Sequence, residues 1–190
     1  MTPKNIVALC DGTNNKFGAE NTNVLKMFSL ALKAIGQQVV FYDPGVGTFS
    51  STAALTPLSK WITREMGSMF GYGASRVLGD TYQFLVENYS ESDRIYLFGF
   101  SRGAYIVRAI SALIHACGLL RRDGKHLIPY AIELFKEEAA TVSRVRERIQ
   151  TEHTVGRLEL PICASFAREF SFPVEIHFLG LWDTVTRVLD

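Results

Sequence analysis

The stretch DRIYLFGFSRGAYIVRAISALI (residues 93–114) decides the fold, because two different hydrophobic patterns meet in it at a single serine. Before Ser101, a dense run of Ile, Tyr, Leu and Phe is typical of a strand covered on both faces of a sheet. After Ser101, apolar residues recur at helical spacing. The stretch therefore predicts a strand, a tight turn at the serine, and a helix.

Ser101 has two interpretations. It is the centre of a G-x-S-x-G pattern at residues 99–103, which a serine nucleophile needs on a strand-to-helix turn. The turn is so tight that Gly99 and Gly103, two positions away on either side, must lack side-chain bulk. At the start of the helix, the N–H of Arg102 would face a developing oxyanion. The alternative is that Ser101 is a plain helix N-cap.

Three other runs have the same density of apolar residues, and we predict a strand in each: residues 5–11, 37–43 and 174–183. Together with the strand at 93–100 they alternate with helical patterns, which we assign to residues 22–35, 73–89, 102–120 and 130–150. This alternation predicts an α/β fold, namely a doubly wound parallel sheet with right-handed crossovers and the strand order two-one-three-four.

Composition limits the classes of protein that fit. The chain has 190 residues, 47% of them hydrophobic, which suits a single domain over 1–190 with a real core. A net charge of +1 argues against a nucleic-acid binder. Three widely spaced cysteines form neither a disulfide framework nor a zinc pattern, so we expect no metal site. We see no signal peptide and no membrane-spanning run, and we therefore expect cytoplasmic synthesis.

Residues 44–72 are the irregular part of the chain. Glycines and prolines punctuate this segment, and exposed-looking apolar residues such as Phe49, Trp61 and Phe70 lie between them. One interpretation is a surface loop that contains a short helix. The other is an inserted apolar lid that covers a binding site.

Further candidate site residues follow two of the predicted strands. In a doubly wound sheet, ligands bind at the carboxyl ends of the strands. The first strand ends at Asp11, and the N–H of Gly12 or Thr13 would be a second oxyanion donor there; alternatively, Asp11 and Asn14 only bond the backbone of a turn. The fourth strand ends at Asp183, which suits the acid that orients a catalytic histidine. Its alternative role is that of a turn or cap residue.

Several motifs together carry a resemblance to a known family: ALCDGTNN (8–15), YDPGVGT (42–48), the long segment at 93–120 and FLGLWDTV (178–185). With these motifs the chain resembles the α/β-hydrolase domain of type VI secretion phospholipase effectors and their uncharacterised relatives. The resemblance implies an α/β-hydrolase fold, a Ser–Asp–His triad, no cofactor and lipid or phospholipid esters as substrates. By motif, Ser101 is the nucleophile, Asp183 the acid, and residues 11–13 line the oxyanion side.

The resemblance also has implications for partners and delivery. It implies transient contact with a membrane surface, delivery by a type VI system, and a secretion-apparatus or immunity protein as partner. In that family the catalytic histidine lies well after the WDT strand. None of the four histidines of this chain, at 115, 126, 153 and 177, matches it. We therefore expect the chain to be the N-terminal part of a larger hydrolase and to be inactive by itself.

Two other functions remain open from the sequence. One is a metal-dependent phosphatase, because Asp11, Asp43 and Asp183 all end strands and DGT occurs in aspartate-nucleophile phosphatases. Such enzymes carry an aspartate two positions before the DGT aspartate, where this chain has Leu9. The other is a binding or interaction module that uses a hydrolase fold without catalysis.

Overall fold

A computed structural model of the chain describes residues 2–12, 18, 21–45, 71–149 and 160–184. Its elements in chain order are β1 (Asn5–Cys10), α1 (Asn23–Leu30), β2 (Gln38–Asp43), α2 (Gly71–Asn88), β3 (Arg94–Phe100), α3 (Arg102–Cys117), β4 (Leu119–Leu120), a 3-10 helix (Arg122–Leu127), α4 (Ile128–Ile149), α5 (Pro161–Phe170), β5 (Ser171–Phe172) and β6 (Ile176–Trp182).

Four parallel strands form the main sheet in the order β2-β1-β3-β6. This confirms the predicted order two-one-three-four and the α/β fold class. The register aligns the carboxyl ends of the strands: Cys10 pairs with both Asp43 and Gly99, and Gly99 pairs in turn with Leu181. The loops that follow all four strands therefore leave the sheet on one side, which we call the carboxyl edge.

Helices cover the sheet on both faces because side chains alternate along each strand. From β1, Ile6 and Ala8 point into the larger core, which α2 and α3 cover, while Val7 and Leu9 point into a smaller one beneath α1. Helices α4 and α5 pack outside α2 and α3 and extend the larger core. The double covering explains why the strands carry nearly continuous apolar runs.

Two predicted helices end earlier than their apolar pattern indicates. Helix α1 ends at Leu30 rather than at residue 35, because the backbone becomes extended at Ala31 and Gly36 takes a left-handed φ of +81°. Ile35, which the pattern places on the buried face of a helix, is fully exposed. Helix α3 ends at Cys117, and Gly118, with φ +71°, leads the chain into β4.

The sequence did not predict two small elements of the structure. Strands β4 and β5 pair antiparallel in a separate two-stranded sheet. Helix α5 begins at Pro161, and the carboxylate of Glu138 caps it by accepting the N–H groups of Ile162 (3.0 Å) and Cys163 (2.8 Å). Burial opposes ionisation of Glu138, but these hydrogen bonds outweigh it and lower the pKa of the carboxyl group.

Most of the predicted insertion, residues 46–70, lies outside the described residues, so the lid stays a prediction, as does the extent of the domain. The last two residues of that predicted segment, 71 and 72, belong to α2. Within the described ranges, no helix is both long enough and apolar enough to span a bilayer.

Candidate active site

Ser101 joins β3 to α3 in a strained backbone conformation. Its φ is +54° and its ψ is −118°, a region that residues with a side chain rarely occupy. Although Ser101 stands at the N-cap position of α3, its hydroxyl makes no capping hydrogen bond. Ser101 therefore does not cap α3 through its side chain, and side-chain capping gives no reason for a serine at this strained position.

The two glycines of the pattern are needed because backbone passes directly against them. A Cβ at Gly99 would lie 2.5 Å from the Cα of Ala104, in the first turn of α3. A Cβ at Gly103 would lie 2.1 Å from the carbonyl oxygen of Cys10, at the end of β1. Gly99 lets α3 turn back over β3, and Gly103 lets the same helix turn touch the end of β1.

The end of β6 lies beside Ser101. The N–H of Ser101 donates to the carbonyl oxygen of Trp182 (2.9 Å), which continues the pairing of Phe100 with Trp182. Asp183 is the next residue, exposed and with a left-handed φ of +45°. The structure thus brings Ser101 and Asp183 together at the carboxyl edge, on neighbouring strands.

Asp11 is the centre of a buried hydrogen-bond network at the end of β1. The residue is 1% exposed, and its carboxylate accepts hydrogen bonds from the N–H of Gly12 (2.7 Å), the hydroxyl of Thr22 (2.5 Å) and the hydroxyl of Tyr42 (2.9 Å). Burial and the neighbouring Asp11 raise the pKa of Tyr42, so its phenol stays a donor. The network ties the turn after β1 to α1 and to β2.

The turn after β2 packs on the same place. Gly45 has a φ of +86°, and a Cβ there would lie only 1.9 Å from the carbonyl oxygen of Gly12. The N–H of Asp11 also donates to the carbonyl oxygen of Asp43 (2.9 Å). The backbone after β1 is therefore held by β2 on one side and, through Gly103, by α3 on the other.

Of the two predicted oxyanion donors after β1, the structure describes only Gly12. The N–H of Gly12 already donates to the carboxylate of Asp11, so it does not point toward Ser101 as a free donor. Thr13 and Asn14 lie outside the described residues. The N–H of Arg102 is the first amide of α3, and helix geometry gives it no acceptor within the helix.

Within the described ranges, Asp11 and Asp43 at the ends of β1 and β2 are bound by other protein groups. Asp43 accepts hydrogen bonds from the guanidinium of Arg76 (3.1 Å) and the N–H of Gly45 (2.8 Å), and Arg76 also donates to Asp80 (2.8 Å). Asp11 is satisfied by two hydroxyls and an amide. Over the described ranges, no group of three or more His, Cys, Asp or Glu side chains is arranged to hold a metal ion.

The described histidines lie away from Ser101. His115 is near the far end of α3, and fourteen residues of helix separate it from Ser101 by about 20 Å. His177 precedes Asp183 by six residues of strand, again about 20 Å, and stacks edge-on against Tyr96. His126 follows β4 in the 3-10 helix, and His153 lies outside the described residues.

The sequence analysis missed the residues that hold the site together. Thr22 and Tyr42 bind Asp11, and Arg76 binds Asp43 from α2. A signal existed for Thr22, because a threonine directly before an apolar helical pattern is a typical N-cap, and its hydroxyl does accept the N–H of Leu25 (3.1 Å). No local pattern indicates that the same hydroxyl also donates to a carboxylate on β1.

The chain is similar to known proteins along nearly its whole length. The family model for "T6SS, Phospholipase effector Tle1-like, catalytic domain" matches residues 4–189. A protein of Saccharomyces cerevisiae, "Uncharacterized protein YEL023C", is 29% identical to the chain over an alignment 197 residues long, and this alignment includes 97% of the chain. The chain spans 27% of the length of that relative. No solved structure matches the chain.

Proposed function

The chain belongs to the family of Tle1-like type VI secretion phospholipase effector catalytic domains, and from this membership we propose that it is the part of a serine esterase that carries the nucleophile. Its substrates are carboxylic esters of lipids, and of phospholipids in particular. The observation that carries the proposal is Ser101, a serine held without a capping role in a strained backbone at the carboxyl edge.

In the proposed reaction, the Oγ of Ser101 attacks the ester carbonyl, and its proton moves to a histidine. The carbonyl oxygen becomes an oxyanion, which accepts the N–H of Arg102 and a second N–H, for which Thr13 is now the better candidate. When this intermediate collapses, the ester alcohol leaves with the proton, and an acyl-serine remains. Water then attacks the acyl group and restores Ser101.

Asp183 has the role of the acid that orients the histidine. A carboxylate after the strand next to the nucleophile strand can reach the far nitrogen of a histidine that contacts Ser101. The order Ser101 then Asp183 along the chain agrees with the order Ser, Asp, His that is typical of this fold. Asp11 supports the reaction indirectly, because its network fixes the backbone that leads into Thr13.

The histidine must come from outside the described residues. A serine hydroxyl without a base is a poor nucleophile, because its proton has no acceptor as the bond forms. None of the four histidines of the chain stands where the family's histidine does, after the WDT motif, so we expect the 190-residue chain alone to hydrolyse esters at least about 10³-fold more slowly than a longer form that supplies the histidine. Robust turnover by the purified chain would contradict this part of the proposal.

The same observation favours a second candidate function. Among the described residues no histidine lies at the carboxyl edge, so the chain could serve as a binding module on a hydrolase fold. A type VI delivery route, an immunity or secretion partner and transient membrane contact belong to the proposal in either case, since they rest on family membership alone.

A fluorophosphonate probe tests the nucleophile directly, because it reacts covalently with activated serines. We expect labelling of a longer form that carries the histidine, loss of labelling in Ser101→Ala, and unchanged labelling in Ser165→Ala. Ser165 is a matched control, since it is an exposed serine on α5. Equal labelling of the wild type and Ser101→Ala would refute the nucleophile, and absence of labelling in the wild type would favour the binding module.

A further inference from the structure

Two arginines near the carboxyl edge differ in their partners. Arg76 on α2, whose side chain is 35% exposed, forms ion pairs with Asp43 and Asp80. Arg102, the first residue of α3, is also partly buried, yet in the part of the chain that the structure describes it has neither a hydrogen bond nor an ion pair from its side chain. In the sequence, Arg102 directly follows Ser101, the proposed nucleophile.

Arg102 is not among the described residues that bury an unpartnered side-chain nitrogen, so its guanidinium stays within reach of water and its donors are available to an anionic ligand. Burial lowers the pKa of Arg102, although an arginine remains charged at physiological pH. Among the described residues, the neighbouring carboxylates do not pair with Arg102. The first turn of α3 holds no acidic residue, Asp11 and Asp43 are bound by other groups, and Asp183 makes no ion pair with Arg102.

We propose that Arg102 is a specificity-determining residue that binds the phosphate group of an ester substrate through its side chain. This inference rests on the proposed function, since it assumes that the ester is bound at Ser101. A guanidinium binds phosphate oxygens in a bidentate manner, so it contributes geometry as well as charge. Esters that carry a phosphate close to the cleaved bond would therefore be preferred over neutral glycerides with the same acyl chains.

The backbone and the side chain of Arg102 have separate roles in this arrangement. The backbone N–H at the start of α3 serves the oxyanion, and substitution of the side chain leaves that amide in place. Loss of the guanidinium should therefore weaken the recognition of phosphate without removing Ser101 or its oxyanion donor. Binding experiments on the 190-residue chain can test this even if that chain hydrolyses esters slowly.

The test compares three probes: monomeric dihexanoyl phosphatidylcholine, dihexanoylglycerol with the same acyl chains, and inorganic phosphate. We expect Arg102→Gln to weaken binding of the phospholipid by about 10- to 100-fold, the usual effect of losing a hydrogen-bonded charge. Binding of dihexanoylglycerol should change less than about threefold. Arg108→Gln, which removes an exposed arginine from the same helix, is the matched control and should change neither.

Two further comparisons keep the inference falsifiable. Arg102→Lys keeps the charge but not the bidentate geometry, so it should bind the phospholipid more tightly than Arg102→Gln and less tightly than the wild type. Its melting temperature, measured beside that of Arg102→Gln, identifies any variant that fails to fold. Inorganic phosphate should bind more weakly than the phospholipid; equal affinity would identify a free-phosphate site and overturn the assignment to the substrate.

The outcomes also separate this inference from the proposed function. If Arg102→Gln weakens both lipids equally, or not at all, while Ser101 is labelled by a fluorophosphonate, then the role of Arg102 is refuted and the esterase remains. If Arg102 governs phospholipid binding but Ser101 is never labelled, then the esterase is refuted and a phosphate-binding residue remains. If Arg108→Gln weakens phospholipid binding as much as Arg102→Gln does, then the effect comes from the overall positive charge and not from Arg102, and the inference is overturned.

Discussion

Replacing Ser101 by glycine should stabilise the protein while it removes the proposed nucleophile. The reason is the backbone at this position, with φ +54° and ψ −118°, which a residue without a Cβ adopts without strain. Ser101→Ala is the control, because alanine also lacks the hydroxyl but keeps the Cβ. The hydroxyl makes no capping hydrogen bond, so its removal alone should change the free energy of unfolding little.

The size of the effect follows from two opposing contributions. A residue held in such a region is strained by about 1–3 kcal/mol. Glycine relieves this strain but also gives the unfolded chain more freedom, which offsets about 0.4–1 kcal/mol. The net gain is about 0.5–2 kcal/mol, and at about 2–4 °C per kcal/mol for a chain of this length the melting temperature should rise by about 1–8 °C.

Thermal and urea unfolding of the wild type, Ser101→Gly and Ser101→Ala check this prediction. We expect Ser101→Gly to be the most stable of the three, and Ser101→Ala to lie within about 0.5 kcal/mol of the wild type. A glycine variant that melts at or below the alanine variant would show that the turn at Ser101 is not strained. The structural argument for a nucleophile held by the fold would then fail.

Two more predictions concern the frame around the site. Gly103→Ala places a Cβ 2.1 Å from a backbone oxygen of β1, so we expect a loss of about 3 kcal/mol or more in unfolding free energy. The control is Gly124→Ala, whose Cβ meets nothing closer than 3.7 Å and which should change the unfolding free energy by less than about 1 kcal/mol. Equal melting temperatures of the two variants would contradict the close contact at Gly103. Burial opposes ionisation of Asp93, but hydrogen bonds from Lys4 and Ser90 outweigh it and lower the pKa of the carboxyl group. The stabilisation from this carboxylate is therefore present above the unfolded pKa of about 4 and is lost as the pH falls through the folded pKa. Asp93→Asn should cost about 1–3 kcal/mol at pH 7, and a difference from the wild type that does not shrink in acid would refute this.

The sequence was sufficient for the parts of the fold that long periodic patterns specify. The strand before Ser101 is a dense apolar run, the helix after it repeats apolar residues at helical spacing, and two glycines mark the turn between them. Strand order followed as well, since short right-handed crossovers leave few arrangements for four parallel strands. Asp183 could be placed near Ser101 for the same reason, because both follow strands of one parallel sheet.

Elements that lack a long hydrophobic pattern in the sequence could not be predicted. Strands β4 and β5 have two residues each, too few to show alternation, and they exist because they pair with each other across a long sequence separation. The apolar residues Leu32 and Ile35 continue the pattern of α1 in sequence, but the chain has already left the helix there. The amide of Gly12 is a similar case, since its direction is set by the carboxylate of Asp11, which tertiary partners hold in place.

The packing of one glycine on β6 explains how Asp183 is kept in register with Ser101. A Cβ at Gly180 would lie 2.5 Å from the ring of Phe98, so the ring of Phe98 occupies the space of the missing side chain. There it lies between the rings of Phe178 (5.4 Å between centroids) and Trp182 (6.1 Å). A slip of β6 by one residue would place a side chain beneath that ring and turn every side chain of the strand to the other face. The aromatic contacts around Gly180 therefore fix the position at which β6 ends, and with it the place of Asp183 beside the strained serine.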